Sequence, residues 1–119
     1  MYLLSDKLNL DELIGQEINM VCVGPYDAQI KLEKGVTIQS LTKLEGEVNG
    51  KRSVWFSGEW IDTSYISKLP KQEIIEISKE SSEVLKFTLT NSVAIYIHTE
   101  ESQYESINIT MSDGAVEII

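Results

Sequence analysis

The chain has 119 residues, a hydrophobic content of 42% and a formal net charge of −9. This length predicts a single domain over residues 1–119, and the mixture of apolar and charged residues argues against a disordered chain. Residues 1–30 sum to −4, residues 31–86 to zero, and residues 87–119, which contain no Lys or Arg, to −5. Because binding to a phosphate backbone requires clustered Lys and Arg, this distribution argues against nucleic acid as a partner.

The apolar residues are too dispersed for a membrane protein. No stretch approaches the roughly 20 apolar residues of a membrane-spanning helix, and residues 1–6 do not have the pattern of a secretory signal. Cys22 is the single cysteine. It cannot form an intrachain disulfide, which is typical of a reducing compartment, so we expect a cytoplasmic protein without membrane contact.

The first half of the chain reads as a short helix followed by five strands. Asn9 is suited to cap the helix and Gly15 to end it. Strands are predicted over 17–24, 27–33 and 36–41, separated by turns at 24–27 and 34–35. Asn49-Gly50 is typical of a tight hairpin, and it predicts strands over 44–48 and 51–57.

The second half follows the same order after a linker at 59–69. In this linker, apolar residues recur at helical spacing before Pro70, which admits a short linker helix. Strands are predicted over 72–79, 83–90 and 93–98. Asp113-Gly114 then predicts a hairpin of strands 106–111 and 115–119.

The two halves, approximately 15–58 and 71–119, are an internal repeat. Residues 15–21 match residues 71–77 at a spacing of 56, and residues 30–38 match residues 87–95 at a spacing of 57. Apolar and polar residues alternate in the same phase in both copies, which indicates strands with one buried face. We therefore predict a mainly β fold in which two similar antiparallel half-sheets form a sandwich or a flattened barrel.

Motifs for catalysis, cofactors or metals are absent from the sequence. No glycine-rich phosphate-binding motif occurs, so no cofactor is predicted. One His and one Cys without paired ligand spacing predict no metal site. Alternation places His98 on the outward face of its strand, and Cys22 is predicted to be a small, half-buried residue rather than a nucleophile. Glu101 and Glu105 lie in a predicted loop, where solvated acids are common, so no catalytic residue is predicted.

Aromatic residues and loop acids are the better candidates for binding. Trp and Tyr are enriched at interfaces because they combine apolar area with a polar group, although packing within the protein would use them equally well. Trp55 alternates with Val54 and Phe56 and is predicted to face away from both. The candidate binding residues are Tyr26, Asp27, Trp55, Trp60, His98, Glu101, Tyr104 and Glu105.

Two stretches resemble a family of small bacterial proteins, a domain of unknown function. Val21-Cys22-Val23-Gly24, followed by Gln29-Ile30-Lys31-Leu32 and Gly35-Val36-Thr37-Ile38, resembles the opening of that family. Ser102-Gln103-Tyr104-Glu105-Ser106 with Ile109 is similar to its closing stretch. The resemblance implies a bacterial, intracellular protein and brings no catalytic residue with it. Within the Q-Y-E-S segment, Tyr104 and Glu105 are expected to have a structural role at the corner before the last hairpin.

Three functional hypotheses follow from these patterns. The first is a non-enzymatic module that binds another protein, with a basic protein as one candidate, in the style of immunity proteins that neutralise toxins. The alternative is a small-molecule binder or weak hydrolase that uses Asp27, His98 and Glu101. A homodimer formed through an open sheet edge is the third.

Overall fold

The protein is a β-sandwich of ten strands. The computed structural model describes residues 9–99 and 106–119, and 55% of these residues lie in strands and 6% in helical turns. The strands are β1 (Ile18–Val23), β2 (Ala28–Leu32), β3 (Thr37–Ser40), β4 (Lys43–Val48), β5 (Lys51–Ser57), β6 (Ile74–Ser81), β7 (Val84–Leu89), β8 (Val93–His98), β9 (Ile107–Thr110) and β10 (Val116–Ile118). The mainly β fold predicted from the sequence is confirmed, with a strand at each predicted position.

Two antiparallel five-stranded sheets pack against each other. Sheet I has the order β1-β2-β3-β9-β10, and sheet II has the order β5-β4-β8-β7-β6. The alternating apolar residues of the repeat fill the space between them: Ile30 and Leu32 in sheet I are buried, as are Phe87 and Leu89 in sheet II. Among the described residues, no helix is long and apolar enough to cross a membrane.

The two halves of the chain exchange their hairpins. Each sheet takes its three-stranded meander from one half and its two-stranded hairpin from the other half. In sheet I, β3 pairs with β9, with Ile38 opposite Ile109; in sheet II, β8 pairs with β4, with Ile95 opposite Gly46. The sequence indicated five strands per half, but it did not indicate that each sheet would contain strands from both halves.

The exchange occurs at a two-residue corner between β3 and β4. Leu41 continues sheet I, because its N–H donates to the C=O of Ser106 at 2.8 Å. Thr42 continues sheet II, because its hydroxyl donates to the C=O of His98 at 2.8 Å. The chain therefore changes sheets within one peptide unit, and neither half forms a complete five-stranded sheet by itself.

Each helical segment is a single 3₁₀ turn rather than an α-helix. The first covers Asp11–Leu13 and the second, in the linker, covers Ile66–Lys68. The two turns are equivalent in the repeat, and each is tied down by a buried glutamine. The side-chain amide of Gln16 donates to the C=O of Glu12 at 2.7 Å, and that of Gln72 donates to the C=O of Lys68 at 3.1 Å.

The hairpin turns follow the residues that favour left-handed backbone. Asn49 and Gly50 have φ values of 54° and 84°, as a type I′ turn requires, and the turn between β7 and β8 has φ values of 59° at Asn91 and 60° at Ser92. In the last hairpin, Gly114 alone has a positive φ, of 90°. The N–H of Met111 donates to the C=O of Ala115 at 2.7 Å, so this connection has three residues.

A β-bulge overturns the orientation predicted for Trp55. Leu44 lies opposite Phe56 and Glu45 lies opposite Val54, so Trp55 is an extra residue in β5. As a result Trp55 and Phe56 both face the core, with 1% and 0% of their surface exposed. The prediction that Trp55 faces away from Phe56 was wrong, because strict alternation does not hold across a bulge.

Candidate binding site

The outer face of sheet II carries a network of charged side chains centred on Glu45. Arg52 donates to both carboxylate oxygens of Glu45, at 3.1 and 3.2 Å, and also to Glu80, at 3.0 and 3.1 Å. The hydroxyl of Tyr96 donates to Glu47 at 2.9 Å. The guanidinium carbon of Arg52 lies 3.6 Å from the centre of the Tyr96 ring, a cation–π contact.

This network extends across the outer face of sheet II from one edge strand to the other. Arg52 lies on β5 and Glu80 on β6, which are the two opposite edges of the sheet. Neighbouring strands lie about 4.8 Å apart, so a flat five-stranded sheet would hold its outer strands about 19 Å apart, too far for these side chains to meet. The sheet is therefore strongly twisted, and the ion pair covers a small apolar cluster of Val84, Ala94 and Tyr96.

His98 belongs to this network and lies on the outer face, as alternation predicted. Its Nε2 is 2.5 Å from Oε1 of Glu45. Desolvation opposes the ionisation of Glu45, but the hydrogen bonds from Arg52 and His98 outweigh it and hold the pKa of this carboxyl below its usual value. Since Glu45 is held by several donors at once, the contact between His98 and a carboxylate is explained by the ion pairs of the sheet.

Asp27 is held in a separate network on sheet I. Amide hydrogen bonds from Gln29 and Gln39, at 2.9 and 2.8 Å to Oδ2, lower the pKa of Asp27. A carboxylate with a lowered pKa is a weak base at neutral pH, which argues against a role as general base. Asp27 and His98 belong to different sheets of the sandwich, so the structure does not bring together the pair required by the hydrolase hypothesis.

The turn at 24–27 and the linker meet at one end of the molecule. The indole N–H of Trp60 donates to the C=O of Gly24 at 2.7 Å, and the ring of Trp60 lies 5.2 Å from that of Phe56. Beside this contact, Tyr26 is 77% exposed and Ile61 is 62% exposed. This end of the molecule therefore combines a fixed tryptophan with large exposed apolar side chains.

A groove extends from this end along strand β1. It has a volume of about 450 Å³ and lies between β1 and the second 3₁₀ turn with its flanking residues. Met20 and Val23 are 53% and 51% exposed along it. The residues that line this groove, which we call the β1 groove, are uncharged: Asn19, Met20, Val21, Val23, Thr63, Ile66, Ser67 and Pro70.

The predicted candidates fall in four places. Tyr26, Asp27 and Trp60 lie together around the turn next to the β1 groove. Trp55 lies in the core, where it stacks on Tyr65 with ring centres 5.9 Å apart, and His98 lies in the sheet II network. Glu101, Tyr104 and Glu105 fall outside the described residues.

Sequence reasoning missed Met20 and Val23 as surface residues. The sequence predicted a strand here without showing that it would be an edge of its sheet, where β2 pairs with it on one side only. One sequence signal could have identified it, because β1 is apolar where its repeat equivalent, β6, contains Glu76, Lys79 and Glu80. Glu45 was also missed, since its partners Arg52 and His98 come from two other strands, β5 and β8.

Within residues 9–99 and 106–119, no three His, Cys, Asp or Glu side chains are grouped so that they could hold a metal ion.

Comparison with family models, with curated proteins and with solved structures found no match to this chain. The resemblance to the bacterial family therefore stays a prediction.

Proposed function

We propose that this protein is a non-enzymatic binding module of the bacterial cytoplasm that recognises a basic protein, in the style of an immunity protein. The observation that carries the proposal is the β1 groove, an uncharged apolar surface on a molecule with a net charge of −9. Exposed apolar patches with a polar rim are typical of interaction sites. The unpaired Cys22 supports the reducing compartment.

The charges near the groove support a basic partner. Glu59 and Asp62 lie in the linker beside the turn that Trp60 holds, and Asp27 lies in that turn. These acidic groups at the Gly24 end of the groove steer a basic segment toward the apolar surface and contribute to specificity, while Lys68 and Lys71 flank the other end. In contrast, Glu45, Arg52 and Glu80 on sheet II are already paired with one another.

A capture experiment with matched variants tests this proposal. The immobilised protein is exposed to lysate of the source bacterium, next to a Val23→Lys variant and an Ile75→Lys control. Val23 and Ile75 are both about half exposed, on β1 and β6 respectively, so both substitutions should leave the fold intact.

We expect the wild type and Ile75→Lys to retain the same basic protein, Val23→Lys to lose it, and added salt to weaken the retention. If the wild type and both variants retain the same set of lysate proteins, the β1 groove is refuted as the binding surface. Retention of nothing at low salt would refute the binding function.

A further inference from the structure

We propose that the β1 groove binds its partner by strand addition, with an extended basic segment pairing with the open edge of β1 as a sixth strand of sheet I. This inference rests on the proposed function and specifies how the partner is held. In strand addition, main-chain hydrogen bonds supply affinity and alternate side chains supply specificity.

The open edge presents the backbone groups of Val21 and Val23. The N–H of Gly24 donates to the C=O of Asp27 at 3.2 Å, which makes these two residues a hydrogen-bonded pair of the β1–β2 ladder. Bonded and non-bonded pairs alternate along an antiparallel ladder, so Val23 and Val21 direct their N–H and C=O groups away from β2. Among the described residues, no turn or loop bonds to these groups.

The other edge strands carry charges that disfavour pairing, and β1 does not. Natural proteins protect open edges with charged side chains or by making the edge strand very short. The charged residues of the other three edges are Lys51 and Arg52 in β5, Glu76, Lys79 and Glu80 in β6, and Glu117 in the three-residue β10. β1 has six residues and no charge, and its Val23 occupies the position that Lys79 occupies in the repeat.

The linker forms the far wall of the groove. It is tied to both ends of β1, by Trp60 to Gly24 and by Lys71, whose N–H donates to the C=O of Ile18 at 2.7 Å. Between these ties it stands away from β1 and leaves the space of about 450 Å³. The equivalent space beside β6 is only about 110 Å³, and there the buried Leu10 occupies the position that the half-buried Ile66 has here.

This geometry favours a single extended segment over a second copy of the chain. The linker lies beside β1, so the edge of a second sheet would meet it before reaching Val21. Two copies would also each contribute a net charge of −9, which repels. The extended segment of the proposed partner therefore alternates apolar residues, which contact Met20 and Pro70, with basic residues, which lie near Asp62.

The probe for this inference is a synthetic peptide of alternating valine and lysine, Val-Lys-Val-Lys-Val-Lys-Val, labelled with fluorescein. Its dissociation constant is measured by anisotropy on the full-length protein, and amide hydrogen exchange is followed by NMR. Two control peptides accompany it: one with every backbone amide nitrogen methylated, so that neither edge can donate, and one in which glutamate replaces lysine.

We expect the peptide to slow exchange at the amides of Val21 and Val23, and both control peptides to bind more weakly. Val23→Lys should weaken binding by about tenfold, as a charge on an open edge does, while Ile75→Lys should change it less than about twofold. Absence of binding, equal binding of the methylated peptide, or protection of amides elsewhere would overturn strand addition. Association of the protein with itself, detected by light scattering without peptide, would overturn it in favour of a homodimer.

The outcomes separate this inference from the proposed function. If a basic protein is captured through the β1 groove but leaves the exchange of Val21 and Val23 unchanged, the binding function stands and strand addition is refuted. If neither partner nor peptide binds, both are refuted.

Discussion

Glu45 is the residue on which the electrostatics of sheet II depend. It accepts hydrogen bonds from Arg52 and His98, and the ammonium of Lys43 lies 3.9 Å from Oε1. Its side chain is only 13% exposed, so water screens these interactions less than at a fully exposed pair. The carboxylate form is therefore favoured in the folded protein, which links its protonation to stability.

The lowered pKa of Glu45 predicts a pH-dependent contribution to stability. The unfolded carboxyl has a pKa near 4.5, and the folded one titrates below it. The stabilisation is therefore present above pH 4.5 and is lost as the pH falls through the folded pKa. Urea unfolding of the wild type and Glu45→Gln should show a difference in unfolding free energy that is largest near neutral pH and shrinks in acid.

Glu59→Gln is the control for the loss of one negative charge, since Glu59 is exposed and forms no ion pair with a described residue. The difference between the wild type and Glu59→Gln should vary less with pH. A difference between the wild type and Glu45→Gln that stays constant down to pH 3 would contradict the predicted linkage.

At the scale of elements, the bulge in β5 and a glycine in β4 act together. The bulge turns Trp55 inward, and its indole ring lies directly over Gly46 on the neighbouring strand. A Cβ added at Gly46 would lie 1.9 Å from Cζ2 of that ring, well inside van der Waals contact. Gly46 is required here because only a residue without a Cβ lets the Trp55 ring lie this close to the backbone of β4. The cost is the weaker strand propensity of glycine.

Gly46→Ala is therefore expected to destabilise the protein by about 1–3 kcal/mol, because the Trp55 ring must move within a packed core. Unfolding free energies from urea denaturation measure this cost. In a Trp55→Phe background the smaller ring should leave room for the methyl group, so the same substitution should cost less. Equal costs in the two backgrounds would show that the Trp55 ring is not what Gly46 accommodates.

The edge strands are the second feature at this scale. Equivalent strands of the two halves have different surroundings, because β6 carries charges and β1 carries none. The spaces beside the two strands differ as well. The space beside β6, which Leu10 lines, has a volume of about 110 Å³, and the β1 groove has a volume of about 450 Å³.

At the scale of the whole molecule, the exchanged hairpins join the two halves into one folding unit. The pairs β3–β9 and β4–β8 both connect strands from different halves. Sheet I therefore loses part of its pairing if the second half unfolds, and sheet II loses part of its pairing if the first half unfolds. The buried Gln16 and Gln72 add symmetrical ties at the start of each half.

This arrangement predicts a single cooperative unfolding transition. Fluorescence of Trp55 and Trp60 reports on sheet II and the linker, and NMR signals of the Ile38 and Ile109 methyl groups report on sheet I. The urea midpoints from both probes should coincide. Ile38→Ala and Ile95→Ala, equivalent core positions in the two sheets, should each cost about 2–5 kcal/mol and shift both probes together. Separate midpoints for the two sheets would contradict the exchange.

The sequence by itself determined the ten strands and most of the turns between them. These features are local, because alternation of apolar residues and residues such as Asn49-Gly50 act within a few positions of the chain. For the candidate site, the sequence indicated Tyr26, Asp27 and Trp60 but misjudged Trp55, and it did not reveal Met20 or Val23 as exposed.

The tertiary structure alone decided which strands become neighbours. Whether β4 joins its own half or the other half depends on free energies of pairing between distant segments, which no local pattern encodes. The same pairing decided that β1 would be an edge, that Trp55 would occupy a bulge and place its ring over Gly46, and that Arg52 would reach Glu80 across a twisted sheet. The open edge of β1, on which the proposed strand addition rests, is a property of that arrangement.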